Sequence, residues 1–192
     1  MYDQAIIESI KELLTGQHQT IAVAESVTAG HMQAALASAE NASKFFQGGI
    51  TAYNLGQKAR HLRVEPVHAE SCNSVSDQVA SEMAVSITRM FTSDWGIGIT
   101  GYAAPVPECS VDEPFAYYAI AFKDKLLRVE RITARQDDPM RVQAFFVNAV
   151  LTNFNSLARR DVDQSSFSRS DLNSMDSRFA SAGPLSTSPS IE

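Results

Sequence analysis

The sequence predicts an α/β fold, a three-layer α/β/α sandwich on a mixed, mostly parallel sheet with a terminal hairpin. Three observations carry that expectation. Thr20 to Lys58 reads as strand, polar elbow, helix, strand and polar elbow, which is a βαβ unit. An amphipathic helix capped by Ser76 leads into the short apolar run Trp95–Thr100, suited to a buried parallel strand. Phe115–Phe122 and Leu126–Thr133 then flank Lys123-Asp124-Lys125 as a hairpin, and a long amphipathic helix follows. Residues 1–160 form the α/β domain on this reading, and 161–192 a Ser-rich, disordered tail.

Taken in order, Ile6, Ile7, Ile10, Leu13 and Leu14 recur at helical spacing, and Gly16 marks the stop. The run Thr20–Ala24 is the first strand. Ser26 or Thr28 then caps a helix to about Ser38, with Met32, Ala35, Leu36 and Ala39 facing inward. Asn41-Ala42-Ser43 makes a turn, Ile50–Tyr53 a second strand, and Gln57–Leu62 a short helix. Val79, Met83, Ile87 and Met90 mark the buried stripe of the helix after Ser76. Residues 103–114 carry Pro105, Pro107 and Pro114 with Glu108, Asp112 and Glu113, the composition of a loop. Asp138-Pro139 starts the last helix, whose stripe of Ala144, Val147, Val150, Leu151 and Phe154 ends near Arg159. Beyond it the chain has neither strand nor helix periodicity, hence the expectation of disorder.

A length of 192 residues suits one domain with a tail, and 44% hydrophobic with 20% charged residues is ordinary for a soluble protein. The net charge of −6 disfavours nucleic acid as a partner. Cys72 and Cys109 lack the number and spacing of a disulfide framework or zinc site, so reduced thiols in a cytoplasmic protein are expected. Asp3 and Glu8 interrupt any secretory leader pattern, and no apolar run is long enough to span a bilayer. Gly96-Ile97-Gly98-Ile99-Thr100-Gly101 has the spacing of a dinucleotide fingerprint, but its glycines lie within the strand and a proline-rich loop follows. They read as packing glycines instead.

The two elbows of the βαβ unit fall at the carboxyl ends of neighbouring strands, where open α/β sheets hold ligands. One elbow carries Ser26; the other carries Tyr53 and Lys58. A serine hydroxyl needs a base to become a nucleophile, and a lysine serves once burial lowers its pKa. A tyrosine hydroxyl relays a proton or donates to a developing oxyanion. The helix start after Ser26 offers N–H groups to an oxyanion or phosphate.

Ala24-Glu25-Ser26-Val27-Thr28-Ala29-Gly30 resembles the A-E-S-C-T-G-G signature of the CinA carboxy-terminal domain family of nicotinamide-nucleotide amidases. Phe46 to Tyr53, with Asn54 and Lys58, resembles that family's F-x-x-G-x-x-x-Y-x-N-x-x-K block. Val75-Ser76, Thr100-Gly101-Tyr102-Ala103 with Pro105, and Met140-Arg141-Val142-Gln143-Ala144 resemble three more blocks in order. The resemblance implies an α/β/α domain, often dimeric, that hydrolyses nicotinamide mononucleotide to nicotinate mononucleotide and ammonia without metal or organic cofactor. It implies Ser26 as nucleophile with Tyr53 and Lys58 as helpers, and Thr28, Gly30, Gly101 and Arg141 as substrate contacts. The chain departs from the pattern at Val27 and Ala29, in the glycine-poor Gly101–Glu108 loop, and at Arg135-Gln136-Asp137. Those departures keep a second expectation open, that of a catalytically lapsed relative binding a nucleotide or a protein. A third is hydrolysis of a different amide.

Overall fold

The computed structural model describes the backbone of residues 1–179 and the side chains of residues 1–160. The described residues divide into two units, Met1–Asn155 and one that begins at Ser156. The first contains the sheet. Its strands are β1 (Ile21–Glu25), β2 (Phe46–Thr51), β3 (Trp95–Tyr102), β4 (Phe115–Phe122) and β5 (Lys125–Thr133), in the spatial order β2-β1-β3-β4-β5. β1 pairs parallel with both β2 and β3, while β3–β4 and β4–β5 are antiparallel. The helices are α1 (Gln4–Gly16), α2 (His31–Ala37), α3 (Leu55–Leu62), α4 (Pro66–Ser71), α5 (Asp77–Phe91) and α6 (Pro139–Phe179). They cover both faces of a mixed five-stranded sheet, the expected sandwich.

Pleat alternation sorts the strand residues between the two faces. Ala22 and Ala24 of β1 turn toward a cluster with Leu62 of α3, Ala69 of α4, and Val79, Met83 and Ile87 of α5. On the opposite face Trp95 packs edge-on against Phe154 of α6 at 5.2 Å between ring centroids, and its indole N–H donates to Gln19 Oε1. α1 is tied to α6 there by hydrogen bonds between Ser9 and Asn155. The small residues of β3 are contact points for α5. A methyl group on Gly98 would lie 2.4 Å from the Ala80 carbonyl oxygen and 2.5 Å from the Ala84 nitrogen. Helix and strand backbones therefore meet directly at Gly98, and the glycine spacing serves packing.

Several boundaries differ from the sequence expectation. β2 begins at Phe46 and stops at Thr51, because Gly48 and Gly49 lie within the strand rather than before it. α4 occupies a stretch with no apolar periodicity. It is set by Pro66 in its first turn and by the Glu65 carboxylate accepting from Val67 and His68 N–H. α2 starts at His31, with Gly30 as its cap in the left-handed region at φ +98°, and not at Ser26 or Thr28. α6 runs past Arg159 to Phe179, where a tail was expected; no glycine or proline interrupts 140–179, so nothing local stops a helix. Residues 180–192 of that expected tail lie outside the described residues. Among the described residues no helix is long and apolar enough to cross a membrane, and no three potential metal-ligating side chains converge. Both cysteines are free thiols.

Candidate active site

Parallel pairing of β1 with β2 and β3 places three chain ends side by side. Ser26 follows β1, Ala52 and Tyr53 follow β2, and Thr100 to Tyr102 end β3. The Ser26 N–H donates to the Ile99 carbonyl at 3.0 Å, and the Ala52 N–H to the Glu25 carbonyl at 2.9 Å, so both elbows are pinned to their neighbours. α3 begins immediately after, with the Asn54 side chain accepting from Gln57 N–H. One turn of that helix carries Lys58 back over the sheet edge. Its Nζ lies 3.0 Å from Ser26 Oγ, with Ser26 and Lys58 only 6% and 2% exposed.

Burial removes water from the Lys58 ammonium and lowers its pKa from the ordinary 10.5 to about 8. A tenth of the side chains are then neutral near pH 7, against fewer than one in a thousand for a solvated lysine. The pair opens into a cleft of about 400 Å³. Tyr53, Asn73, Thr100, Tyr102 and Gln143 bring most of its polar groups, and Val27, Val75 and Pro139 its apolar surface. Among the described residues lining it, Lys58 is the one cation, and none is a carboxylate. Glu108, Asp112 and Glu113 stay outside, Glu113 being paired with Arg131.

The remaining expected residues divide. Gly101 lines the cleft, and a Cβ there would collide with the Phe115 carbonyl oxygen at 2.2 Å. Tyr53 lines it too but stands 70% exposed, with no hydrogen bond to Ser26 or Lys58 among the described residues. It belongs to the rim, because β2 ends before it and α3 starts beyond it. Thr28 is fully buried outside the cleft, its hydroxyl unpartnered. Gly30 gives its N–H to Glu25 Oε2 at 3.1 Å. Arg141 also lies outside, 77% exposed and paired with Asp137, since its position on α6 faces solvent.

Glu25 explains why the helix start is not an anion site. Its buried carboxylate accepts from the N–H groups of Gly30, Met32 and Gln33 at 3.1, 2.9 and 2.8 Å. The donors that sequence reasoning offered to an oxyanion or phosphate are thus already bonded to an acid from the preceding strand. Glu25→Gln keeps the shape but loses the charge and one acceptor. It is expected to lower unfolding free energy by about 2–3 kcal/mol in a urea titration. Unchanged stability would rule out this anchoring role.

Asn73 and Gln143 were not predicted as site residues. Asn73 and Ser74 both sit in the left-handed region, φ 50° and 60°, and the Thr100 hydroxyl donates to the Ser74 carbonyl at 2.8 Å. That clasp holds the turn before α5 against the end of β3. From α6, Gln143 Nε2 donates to the Val27 carbonyl at 2.8 Å.

A buried Ser–Lys pair thus stands at the end of a βαβ unit, with family-like blocks around it. The sequence profile of the CinA C-terminal domain matches residues 3–158. The chain belongs to the CinA C-terminal domain family. A CinA-like protein from Picosynechococcus is 40% identical over 115 residues, covering 60% of this chain and 27% of that protein. A putative competence-damage inducible protein from Streptococcus pneumoniae is 38% identical over 103 residues, 54% of this chain and 25% of that protein. The aligned part is thus about a quarter of the length of these curated relatives. A CinA superfamily protein from Enterobacter cloacae superposes with a TM-score of 0.74 at 25% identity, over 80% of this chain and 90% of that one. Within this CinA domain, the elbows that carry Ser26 and Lys58 lie inside the profile match, and the α6 extension lies beyond it.

Proposed function

We propose that the chain is an amidohydrolase that deamidates nicotinamide mononucleotide to nicotinate mononucleotide and ammonia. The observation that carries this reading is the buried 3.0 Å contact between Lys58 Nζ and Ser26 Oγ, with the amine held near a pKa of 8. While protonated, Lys58 donates to the serine hydroxyl. Once neutral, it accepts the hydroxyl proton as Ser26 Oγ attacks the carboxamide carbon. The same proton then goes to the departing nitrogen, which leaves as ammonia, and an acyl-serine ester remains. Water adds to that ester as Lys58 takes its proton, Lys58 returns that proton to Ser26 Oγ as the ester bond breaks, and the free serine hydroxyl and the carboxylic acid result.

Oxyanion stabilisation falls to groups other than the α2 amides, which Glu25 occupies. The Ser26 N–H is also committed, so the next amide, that of Val27 at the cleft wall, is the backbone candidate. Tyr53 acts from the rim, closing over the bound ring rather than relaying the proton between Ser26 and Lys58.

A second reading has one observation in its favour. The cleft rim at Tyr102–Val106 has alanine, proline and valine where backbone approach to a phosphate favours glycine, which fits a binding module that no longer turns over. Ammonia release by the purified chain supplied with nicotinamide mononucleotide decides between the two. Stoichiometric ammonia and nicotinate mononucleotide support the hydrolase; saturable binding with no ammonia supports the module.

A further inference from the structure

The side-chain amides of Gln143 and Asn73 approach the cleft from opposite faces of the sheet, one on α6 and one on the turn before α5. Each makes a hydrogen bond through its NH2 group. The Val27 carbonyl can only accept, so the Gln143 NH2 group must face it, at 2.8 Å. The Asn73 NH2 group lies 2.9 Å from the Tyr102 hydroxyl and 3.5 Å from Cys109 Sγ. Burial raises the Tyr102 pKa, so the phenol stays neutral there. Turned away from these partners, each amide presents its carbonyl oxygen, an acceptor.

We propose that Gln143 Oε1 and Asn73 Oδ1 are the specificity-determining acceptors that select a primary carboxamide over the corresponding acid. The inference rests on the hydrolase reading and names the part of the substrate that this site reads. A carboxamide NH2 presents two N–H donors, and two fixed carbonyl oxygens accept them. A carboxylate presents only acceptors, so oxygen faces oxygen at both positions. The chemical consequence is directional. The amide is held beside Ser26 with its nitrogen turned toward acceptors, and the acid produced by hydrolysis is pushed out of the same place. The selection is for amide nitrogen as such, so a methyl ester of the same acid also loses both contacts.

The test is calorimetric binding to the full-length Ser26→Ala protein, with nicotinamide mononucleotide and nicotinate mononucleotide as the paired probes. At pH 9.5 most Lys58 is neutral and does not bias the comparison toward the acid. The amide is expected to bind about tenfold or more tighter than the acid. Gln143→Met removes one acceptor at similar volume. Asn73→Gly removes the other while suiting the left-handed backbone. Each is expected to bring the affinity ratio down about three- to tenfold, and the pair to bring it near one. A purely structural role would weaken both ligands together and leave the ratio unmoved, which overturns the proposal, as does equal binding of both nucleotides or binding of neither. Ammonia release by the wild-type chain with a flat ratio sinks this inference alone. Amide-selective binding with no turnover sinks the hydrolase reading and leaves the acceptor pair standing.

Discussion

Lys58→Met is expected to reduce turnover by about 10³- to 10⁴-fold and, at the same time, to make the protein harder to unfold. Holding the amine where its pKa falls from 10.5 to about 8 costs about 3 kcal/mol at neutral pH, at 1.36 kcal/mol for each pH unit of the change. Methionine fills similar space without that cost. The substitution forfeits the bond to Ser26, worth about 1 kcal/mol, so a net gain of about 2 kcal/mol remains. Activity and stability therefore move in opposite directions, which distinguishes a functional lysine from a structural one. Urea unfolding at pH 7 beside an ammonia assay reads both. A stability loss with activity kept would show Lys58 to be a structural group.

Ser26→Ala removes the hydroxyl proposed to attack and is expected to lower kcat by about 10⁴-fold or more, leaving only what substrate binding and oxyanion contacts still supply. Substrate affinity should stay within about threefold, since the hydroxyl contributes one hydrogen bond among many contacts. The backbone of Ser26 is held by its N–H to Ile99, which the substitution leaves in place, so the fold is unaffected. Turnover surviving in the alanine protein would take the nucleophile role away from Ser26 and move it to a water molecule. A parallel loss of binding and thermal stability would instead point to local collapse.

The sheet was legible because its strands announce themselves by short apolar runs bounded by polar elbows, and the elbow positions fix which side chains meet. Ser26 and Lys58, well apart in sequence, follow from that topology alone. Tyr53 does not, because β2 ends two residues before the expected Tyr53, at Thr51, which leaves Tyr53 in the connection to α3 and facing solvent. Glu25 was hidden for another reason: an acid directly before a serine reads as part of the motif, whereas its role depends on α2 starting at His31. That start requires Gly30 in a left-handed conformation, which residue type permits but does not compel. Asn73 escaped notice because its position depends on two successive left-handed residues and a hydroxyl of β3. Arg141 was placed by family likeness, and its exposed, Asp137-paired position shows that helical phase, not block order, determines what reaches a cleft.

The proposed hydrolysis depends on a neutral Lys58 drawing the proton from Ser26, and the pH dependence of ammonia release from nicotinamide mononucleotide tests that most directly. Deprotonation of a lysine with its pKa near 8 predicts kcat/KM rising about tenfold per pH unit at low pH and levelling above pH 8. In Ser26→Ala the signal should be missing at every pH. A rate that is flat from pH 6 to 9, or that falls as the amine loses its proton, would contradict the account.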